Sequence, residues 1–207
     1  VQLALGAHVA ALAGQAGQVT GVVTDRGTYP AELVVVAVGN RPNTQWLEGV
    51  VEQDARGVII TDDQLRTSEP DILAVGDNTA VNYLPTATRL RVSLASNAAR
   101  AGRFAGRYLG AAAHSFPGVS GTSALQAFGY YFAATGLGST TAAKMGVPVA
   151  SRFAESLQLS ADAPANAAIT GKLFYAPDTH RILGAQLLSQ ADVTSTINII
   201  SLAIQAK

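Results

Sequence analysis

The chain has 207 residues, of which 48% are hydrophobic and 14% charged, a balance typical of one or two folded domains and not of a disordered chain. Its 14 basic and 14 acidic residues cancel, so no global field would attract nucleic acid or an anionic membrane surface. The longest apolar runs fall far short of the roughly 20 residues that a membrane helix needs. Cysteine is absent, which excludes disulfides, thiolate metal sites and a redox-active thiol within the chain.

The first 43 residues predict a β-meander that returns to a sheet. Short alternating stretches predict small strands at residues 1–5, 18–24 and 28–32, with a hairpin-like turn at residues 25–27. The apolar run at residues 33–38 then predicts a fully buried parallel strand. Gly39 and Pro42 end it, because proline cannot extend a strand.

Residues 44–77 lead to the first candidate site. A short helix is predicted at residues 44–49 and a strand at residues 57–61. A turn signal then precedes a second buried parallel strand at residues 72–75, which Gly76 and Asp77 end. Glycine at the carboxyl end of such a strand lets a ligand approach the backbone, and the aspartate can accept hydrogen bonds from ligand hydroxyls. The alternative is an ordinary strand-to-loop turn with a solvated aspartate.

Residues 78–91 are a loop by composition, and a helix is predicted to start near Ser93, with Ser93 or Ser96 as its cap. Small residues form the face that would lie on a sheet: Ala95, Ala98, Ala99, Ala101, Phe104 and Ala105. The free amides and partial positive charge at the helix N-terminus favour an anion. A plain amphipathic helix that packs on the sheet is the alternative, and the two are compatible.

The region after residue 118 predicts an α+β domain. Its elements are a strand at residues 126–135, a short helix at 140–144, a strand at 149–159, a hairpin of 170–175 with 181–188, and a final helix at 192–207. Asp192 is the predicted N-cap of that helix, and its predicted buried residues are Ile197, Ile200, Leu202 and Ile204. Gly136 and Gly138 form only a partial dinucleotide fingerprint, since no third glycine follows. The three histidines are isolated, so no metal site is predicted.

Three motifs, which follow one another along the chain at residues 38–43, 67–77 and 94–97, resemble those of the FAD-dependent pyridine nucleotide-disulfide oxidoreductases in the same order. Thr67-x-x-Pro70-Asp71-Ile-Leu-Ala-Val-Gly76-Asp77 resembles their second flavin motif, which implies that Asp77 hydrogen-bonds the ribityl chain of FAD at the glycine turn of Gly76. Val38-Gly-Asn-Arg-Pro-Asn43 resembles the end of their NAD(P)H-binding domain, which implies that Gly39 lies where the pyridine nucleotide passes. The stretch 94–97 matches the one that lies against the flavin ring, so Leu94, Ala95 and Ser96 are the implied ring contacts.

The resemblance implies a fold of partial Rossmann-like FAD/NAD(P)-binding segments followed by an α+β dimerisation domain. The implied domains are residues 1–43, the end of the NAD(P)H-binding domain; residues 44–114, the second segment of the FAD-binding domain; and residues 115–207, the dimerisation domain of a homodimer. Tyr130 matches a tyrosine that in some members reaches the partner subunit's active site. NADH oxidases, NADH peroxidases and coenzyme A-disulfide reductases commonly have aspartate where this chain has Gly129. The alternative for Tyr130 is therefore a half-buried aromatic residue of a strand.

The stretches 83–88 and 93–97 resemble NADH oxidases most, with coenzyme A-disulfide reductases and NADH peroxidases as alternatives. The implied activity is hydride transfer from NAD(P)H through FAD to a small-molecule acceptor, oxygen in the oxidases, in a cytoplasmic enzyme. The family's nucleophilic cysteine, glycine-rich phosphate loops and C-terminal tail are not found in this sequence. We therefore expect a piece of a longer enzyme and assign no catalytic residue. Two alternatives stay open: a dimerisation module without catalysis, and an unrelated α/β binding protein.

Overall fold

The computed structural model describes residues 2–109, 114–157 and 167–206. The chain divides into two compact units, residues 1–40 and residues 41–207. The described residues form three sheets and three α-helices, which confirms the predicted combination of α/β and α+β character. A further division of residues 41–207 at residue 114 stays a prediction.

The first unit is an antiparallel meander of β1 (Val9–Gln15), β2 (Gln18–Thr24) and β3 (Gly27–Pro30). The turn between β1 and β2 has φ of 51° at Ala16 and 80° at Gly17, and positive φ at both central residues is what a type I′ hairpin requires. The strand predicted at residues 18–24 is confirmed, whereas residues 2–5 form no strand.

The parallel strand predicted at residues 33–38 is wrong. These residues form no strand, and Leu33, Val36 and Val38 expose 81%, 69% and 88% of their surface. A strand buried on both faces needs a neighbour along each edge. The sheet of this unit ends at β3, so the apolar run has no strand to pair with in the described part of the chain.

The second unit begins with a 3-10 turn, Gln45–Leu47, in place of the predicted helix. It continues with a three-stranded sheet, here called the small sheet, formed by β4 (Ile59–Ile60), β5 (Thr79–Tyr83) and β6 (Thr88–Leu90). β4 and β5 are parallel, and β5 and β6 are antiparallel. The loop predicted at residues 78–91 is therefore wrong, because only residues 84–87, with Pro85 and Thr86, form a turn, whereas Thr79 and Thr88 belong to the strands of the hairpin.

The strand predicted at residues 72–75 is also wrong. Leu73 makes only an isolated bridge to Arg66, and the amide of Ala74 donates to the carbonyl of Leu65. Ala74 is buried, as the sequence predicts. This stretch is thus a connection that leads to Gly76 without joining a ladder, with Ala74 buried and Ile72 exposed.

Helix α1 (Ala95–Tyr108) has the extended residue Leu94 as its N-cap, and no side chain caps it. The predicted caps Ser93 and Ser96 are therefore wrong. The chain enters the helix through a turn in which the Leu94 amide donates to the carbonyl of Val92, 3.0 Å away. The orientation of the helix is set by this backbone turn and by packing.

A hydrophobic cluster holds α1 on the small sheet, and its buried members are Leu65, Val81, Ala101, Phe116 and Val119. Phe104 of α1 packs edge-on against Phe116, with ring centroids 5.5 Å apart. Ala95 and Ala99 are exposed, so the predicted small-residue face is wrong at these two positions.

The large sheet has the order β7-β8-β11-β10-β9, with every neighbouring pair antiparallel. Its strands are β7 (Ser123–Ala127), β8 (Tyr130–Gly136), β9 (Ala150–Leu157), β10 (Ala168–Tyr175) and β11 (Ile182–Ser189). The predicted β10–β11 hairpin is confirmed. The single strand predicted at residues 126–135 is wrong, because Phe128 and Gly129, with φ of 52° and 79°, form a turn between β7 and β8.

Two helices complete this region: α2 (Ser139–Met145), which confirms the predicted short helix, and α3 (Thr194–Ala206). Asp192 precedes α3, and a carboxylate oxygen accepts the amide of Thr194 at 2.8 Å. Hydrogen bonds from the side chain and then the backbone of Thr194 lower the pKa of the Asp192 carboxyl. The first helical bond runs from Ile197 to the carbonyl of Val193, so Val193 is at the cap position and Asp192, the predicted cap, lies one residue before it.

The buried core between α3 and the large sheet contains Ala133, Ala185, Leu187, Val193 and Ile197. Leu202, predicted to be buried, exposes 63% of its surface. It lies five residues after Ile197, which turns it about 140° around the helix from the buried stripe. A further cluster joins the small sheet to the large sheet through Tyr83, Leu137, Ala142 and Leu183.

Candidate flavin-binding site

Gly76 and Asp77 form a turn immediately before β5. Gly76 has φ of 91°, in the left-handed region that favours glycine. Its carbonyl accepts two hydrogen bonds from Thr79, at 3.2 Å from the amide and 2.9 Å from the hydroxyl. The carbonyl of Asp77 accepts a hydrogen bond from Nε of Arg91. The Asp77 carboxylate is exposed and has no hydrogen bond or ion pair with the described residues.

This turn packs against the first turn of α1. A Cβ on Gly76 would lie 3.7 Å from the Cβ of Ala98, which is ordinary van der Waals contact. The structure therefore brings together the two features that the sequence predicts as one site. The Asp77 carboxylate and the N-terminal end of α1, where Leu94, Ala95 and Ser96 lie, belong to the same edge of the small sheet.

The amides at this end of α1 divide into used and unused groups. Those of Asn97 and Ala98 donate to the carbonyl of Leu94 at 2.9 and 3.0 Å. The amides of Ala95 and Ser96 have no acceptor within the described residues. Unpaired amides and the partial positive charge of a helix N-terminus stabilise a negative group that lies close to them.

Two asparagines beside the turn carry buried polar atoms without partners. Oδ1 of Asn78 and Nδ2 of Asn97 are enclosed and make no hydrogen bond to the described residues. Such a group costs about 1–3 kcal/mol when it stays unpaired, and exceptions of this kind call for a bound group or an internal water. One acceptor and one donor in this condition at the same edge fit a cofactor that completes the site.

The sequence predicts Gly76, Asp77 and the N-terminus of α1 as parts of the site but does not predict three neighbours. These are Arg91, Asn78 and Asn97. Arg91 lies 14 residues from its partner Asp77, so the contact depends on the β5–β6 hairpin, which the sequence did not predict. Asn78 and Asn97 had a weak signal, since each lies next to a predicted site residue. Asparagine is too common in turns and first helical turns for that position to carry weight alone.

Two further predicted site residues belong to other elements of the chain. Gly39 belongs to the first unit, has φ of 83° and would accept a Cβ with no atom within 4 Å. Tyr130 is the first residue of β8 and exposes 46% of its surface beside the Phe128-Gly129 turn. Their predicted roles in pyridine nucleotide binding and in a partner's active site stay predictions.

A cavity of about 220 Å³ lies away from this edge, between β8, α2 and β11, and is lined by Thr135, Gly136, Ser139, Thr140 and Gln186 among others. Gly136 beside it is explained by packing, because a Cβ there would overlap the carbonyl oxygen of Leu183. The partial glycine fingerprint is thus a close approach of two backbones. Within the described ranges no group of three His, Asp or Glu side chains could hold a metal ion.

No described helix has both the length and the apolar character that crossing a membrane requires.

The family model for pyridine nucleotide-disulphide oxidoreductases matches residues 1–102. The NADH oxidase of Enterococcus faecalis is 36% identical over 208 residues, a match that covers 100% of this chain and 47% of the oxidase. The chain belongs to the pyridine nucleotide-disulphide oxidoreductase family. It spans about half the length of the curated relatives that it matches, as in this 47%.

Two further similarities in this oxidoreductase family bear on the subgroup. The water-forming NADH oxidase from Lactobacillus brevis bound to NADH has a TM-score of 0.91 and 36% identity, over 99% of this chain and 45% of that one. The NAD(P)H sulfur oxidoreductase (CoA-dependent) of Pyrococcus furiosus is 31% identical over 166 residues, 80% of this chain and 38% of the relative. The predicted family is therefore confirmed, and oxidases and coenzyme A-dependent reductases are both among its relatives.

Proposed function

We propose that this chain is part of an NADH oxidase-like flavoenzyme, in which hydride passes from NAD(P)H through FAD to oxygen. The observation that carries the proposal is the packing of the Gly76-Asp77 turn against α1, with 3.7 Å between a Cβ on Gly76 and the Cβ of Ala98. A bound flavin would supply the group that takes up and passes on hydride. This chain would supply the contacts that bind and orient it.

Each contact follows from a group that the fold leaves unused. The exposed carboxylate of Asp77 would accept hydrogen bonds from hydroxyls of the ribityl chain, since an ionised carboxylate is an acceptor only. The free amides of Ala95 and Ser96 would face the edge of the flavin ring. Fixed donors and the helix dipole stabilise negative charge there without reorganisation, as in an oxyanion hole.

The final electron acceptor depends on groups outside this chain. The sequence contains no cysteine, so it provides no thiolate to react with oxygen, peroxide or a disulfide. A coenzyme A-disulfide reductase is the second candidate, and its support is the 31% identity to the coenzyme A-dependent sulfur oxidoreductase of Pyrococcus furiosus. NADH peroxidase, with peroxide as the acceptor, is a further alternative.

The experiment is a titration of riboflavin fluorescence with the purified chain. Riboflavin contains the ring and the ribityl chain but no pyrophosphate, so it reports only the contacts assigned here. We expect quenching that saturates, and Asp77→Asn should weaken binding about 10-fold or more, the loss typical of a hydrogen bond to a charged group. Asp71→Asn is the matched control, because Asp71 is also exposed and precedes the same turn.

The proposal fails if the unchanged chain does not quench riboflavin at millimolar protein, or if both aspartate variants bind it equally. FAD itself should be lost during purification, because the phosphate loops that anchor its pyrophosphate are not found in this sequence. We therefore expect a colourless preparation without NADH turnover. A preparation that holds flavin in one-to-one amount would contradict this expectation.

We also propose that the chain forms a homodimer through the open face of the large sheet. α3 covers the opposite face, and the open face carries a row of three paired apolar residues, Leu125, Phe132 and Leu188. These side chains expose 57%, 37% and 41% of their surface, and Phe153 and Leu157 extend the face with 65% and 50%. Five strands about 4.8 Å apart and seven residues long span roughly 500 Å².

Two such faces would bury about 1,000 Å², which is the lower limit for a specific interface. Sedimentation equilibrium should show a dimer that Leu125→Lys dissociates, because a charge would enter the apolar row at its β7 end. Leu202→Lys on the outer side of α3, also exposed at 63%, is the matched control and should leave the dimer intact. A monomer at all concentrations, or equal effects of the two variants, would exclude this face. A dimer without riboflavin binding would favour the alternative of a non-catalytic dimerisation module.

A further inference from the structure

Arg91 lies at the junction of the elements that form the candidate flavin site. It follows β6 directly and precedes Leu94, the N-cap of α1, by three residues. Its Nε donates a hydrogen bond to the carbonyl oxygen of Asp77. One side chain thus connects the segment that leads into the helix with the turn that carries the carboxylate.

The contact goes to the backbone of Asp77 and not to its carboxylate. If the guanidinium paired with the carboxylate, it would occupy the carboxylate oxygens. These oxygens could then no longer accept hydrogen bonds from a ligand. Because the bond is to the carbonyl, the carboxylate stays without a partner among the described residues. The arrangement fixes the main chain at Asp77 and keeps the side chain available for a ligand.

The other restraints on this turn act at the residues on either side of Asp77. Thr79 holds the carbonyl of Gly76 through its amide and hydroxyl, and Gly76 packs near Ala98. The Thr79 amide closes a turn over residues 76–79, and the amide of Ile59 donates to the carbonyl of Asn78. The bond from Arg91 adds a restraint at the carbonyl of Asp77, between these two anchors, and the direction of the Asp77 side chain follows the main chain that it holds.

We propose that Arg91 is the positioning residue of the flavin site: through the carbonyl of Asp77 it orients the carboxylate toward the ribityl chain while the ring faces the N-terminus of α1. This inference rests on the proposed function of Asp77 and α1. Arg91 acts through Asp77 and needs no contact with the flavin.

The test compares three variants in the riboflavin titration. Arg91→Met removes the donor and the charge, and we expect the dissociation constant to rise about 10-fold or more. Arg91→Lys keeps a cationic donor on a flexible stem and should restore part of the affinity. Arg89→Met is the matched control, because Arg89 lies on the same hairpin and bonds to Asp62 and Asp63 instead. It should change the dissociation constant less than twofold.

Hydrogen exchange of the ligand-free chain provides a readout that does not depend on flavin. Arg91→Met should speed exchange of the amides of residues 76–79 about 10-fold, while exchange in β10 and β11 stays unchanged. Arg89→Met should leave residues 76–79 as they are. Circular dichroism checks that each variant folds. If Arg91→Met does not fold, Arg91→Lys is compared with the unchanged chain in its place.

The outcomes separate the two proposals. If the unchanged chain binds riboflavin but Arg91→Met binds it equally well, the positioning role is overturned and the flavin site stands. Unchanged affinity with faster exchange at residues 76–79 overturns it too, since the bond would then be only structural. If the unchanged chain does not bind riboflavin, the flavin site itself fails and the role of Arg91 with it, whatever the exchange shows.

Discussion

The small sheet and the large sheet are held together in different ways. The strands of the small sheet have two to five residues, whereas those of the large sheet have five to eight. The connections of the small sheet depend on side chains that bond to backbone amides, as Asp54 and Asp62 do. The large sheet relies on continuous ladders and on a core shared with α3.

The large sheet is a scaffold, whereas the small-sheet region carries the candidate site. Long ladders satisfy backbone groups within the sheet, so the large sheet keeps few polar groups for a ligand. In the small-sheet region the chain turns often, and its turns leave amides, a carboxylate and the buried atoms of Asn78 and Asn97 without partners among the described residues. Binding groups commonly occur on such connections, which a rigid neighbour positions. Three comparisons, each by unfolding stability, test how rigid that neighbour is.

The largest effect is expected from Gly184→Ala in β11. A Cβ at this position would overlap the carbonyl oxygen of Leu137, and backbone atoms cannot move aside as a side chain can. We expect a loss of about 3 kcal/mol or more in the free energy of unfolding, measured by urea denaturation. Gly102→Ala in α1 is the control: a Cβ there meets nothing within 4 Å, so stability should rise by about 0.5–1 kcal/mol. Equal midpoints for the two variants would show that the large sheet is not tightly packed there.

The next effect separates the two sides of α3. Ile197 is 0% exposed in the core against the large sheet, whereas Ile199 is 68% exposed on the same helix. Ile197→Ala should cost about 2–5 kcal/mol, and Ile199→Ala should stay within about 0.5 kcal/mol, both by urea denaturation. Similar losses for both variants would mean that Ile199 is covered in solution, for example by a second copy of the chain.

A smaller, pH-dependent effect is expected where the two sheets meet. Tyr83 is 4% exposed, and burial raises the pKa of its phenol to about 12. Between pH 10 and 12 the unfolded chain releases this proton while the folded chain keeps it, so stability falls as pH rises. The loss approaches about 2–3 kcal/mol at the upper end, at 1.36 kcal/mol for each pH unit. Tyr83→Phe has no proton to release, so its urea stability should fall less over this range; parallel curves would contradict the burial of the phenol.

Elements whose signal is local could be predicted from the sequence. α3 and the β10–β11 hairpin have hydrophobic periodicity within one segment and turn residues at their ends. The errors come from signals that depend on distant partners. Residues 33–38 have the composition of a buried strand, but composition does not supply neighbours. Phe128 is an aromatic residue of a type that favours strands, yet it lies in a turn. The adjacent Gly129 was the one local indication of that turn.

The site follows the same rule. Gly76 and Asp77 could be found because they end the motif at residues 67–77, although the strand predicted before them is wrong. The free amides of Ala95 and Ser96 follow from any helix start. Arg91 could not be found, because its bond to Asp77 exists only when the β5–β6 hairpin brings residue 91 back beside residue 77. Positioning residues of this kind require coordinates.

The bare apolar segment at residues 33–38 has a practical consequence for anyone who handles the chain. Six consecutive residues with high β-propensity and no charge, left in water, are the composition from which intermolecular cross-β pairing starts. Turbidity and loss of protein should therefore increase with concentration and with storage time. A lysine in place of Val36, which exposes 69% of its surface, would interrupt this apolar run with a charge and keep the preparation in solution for longer.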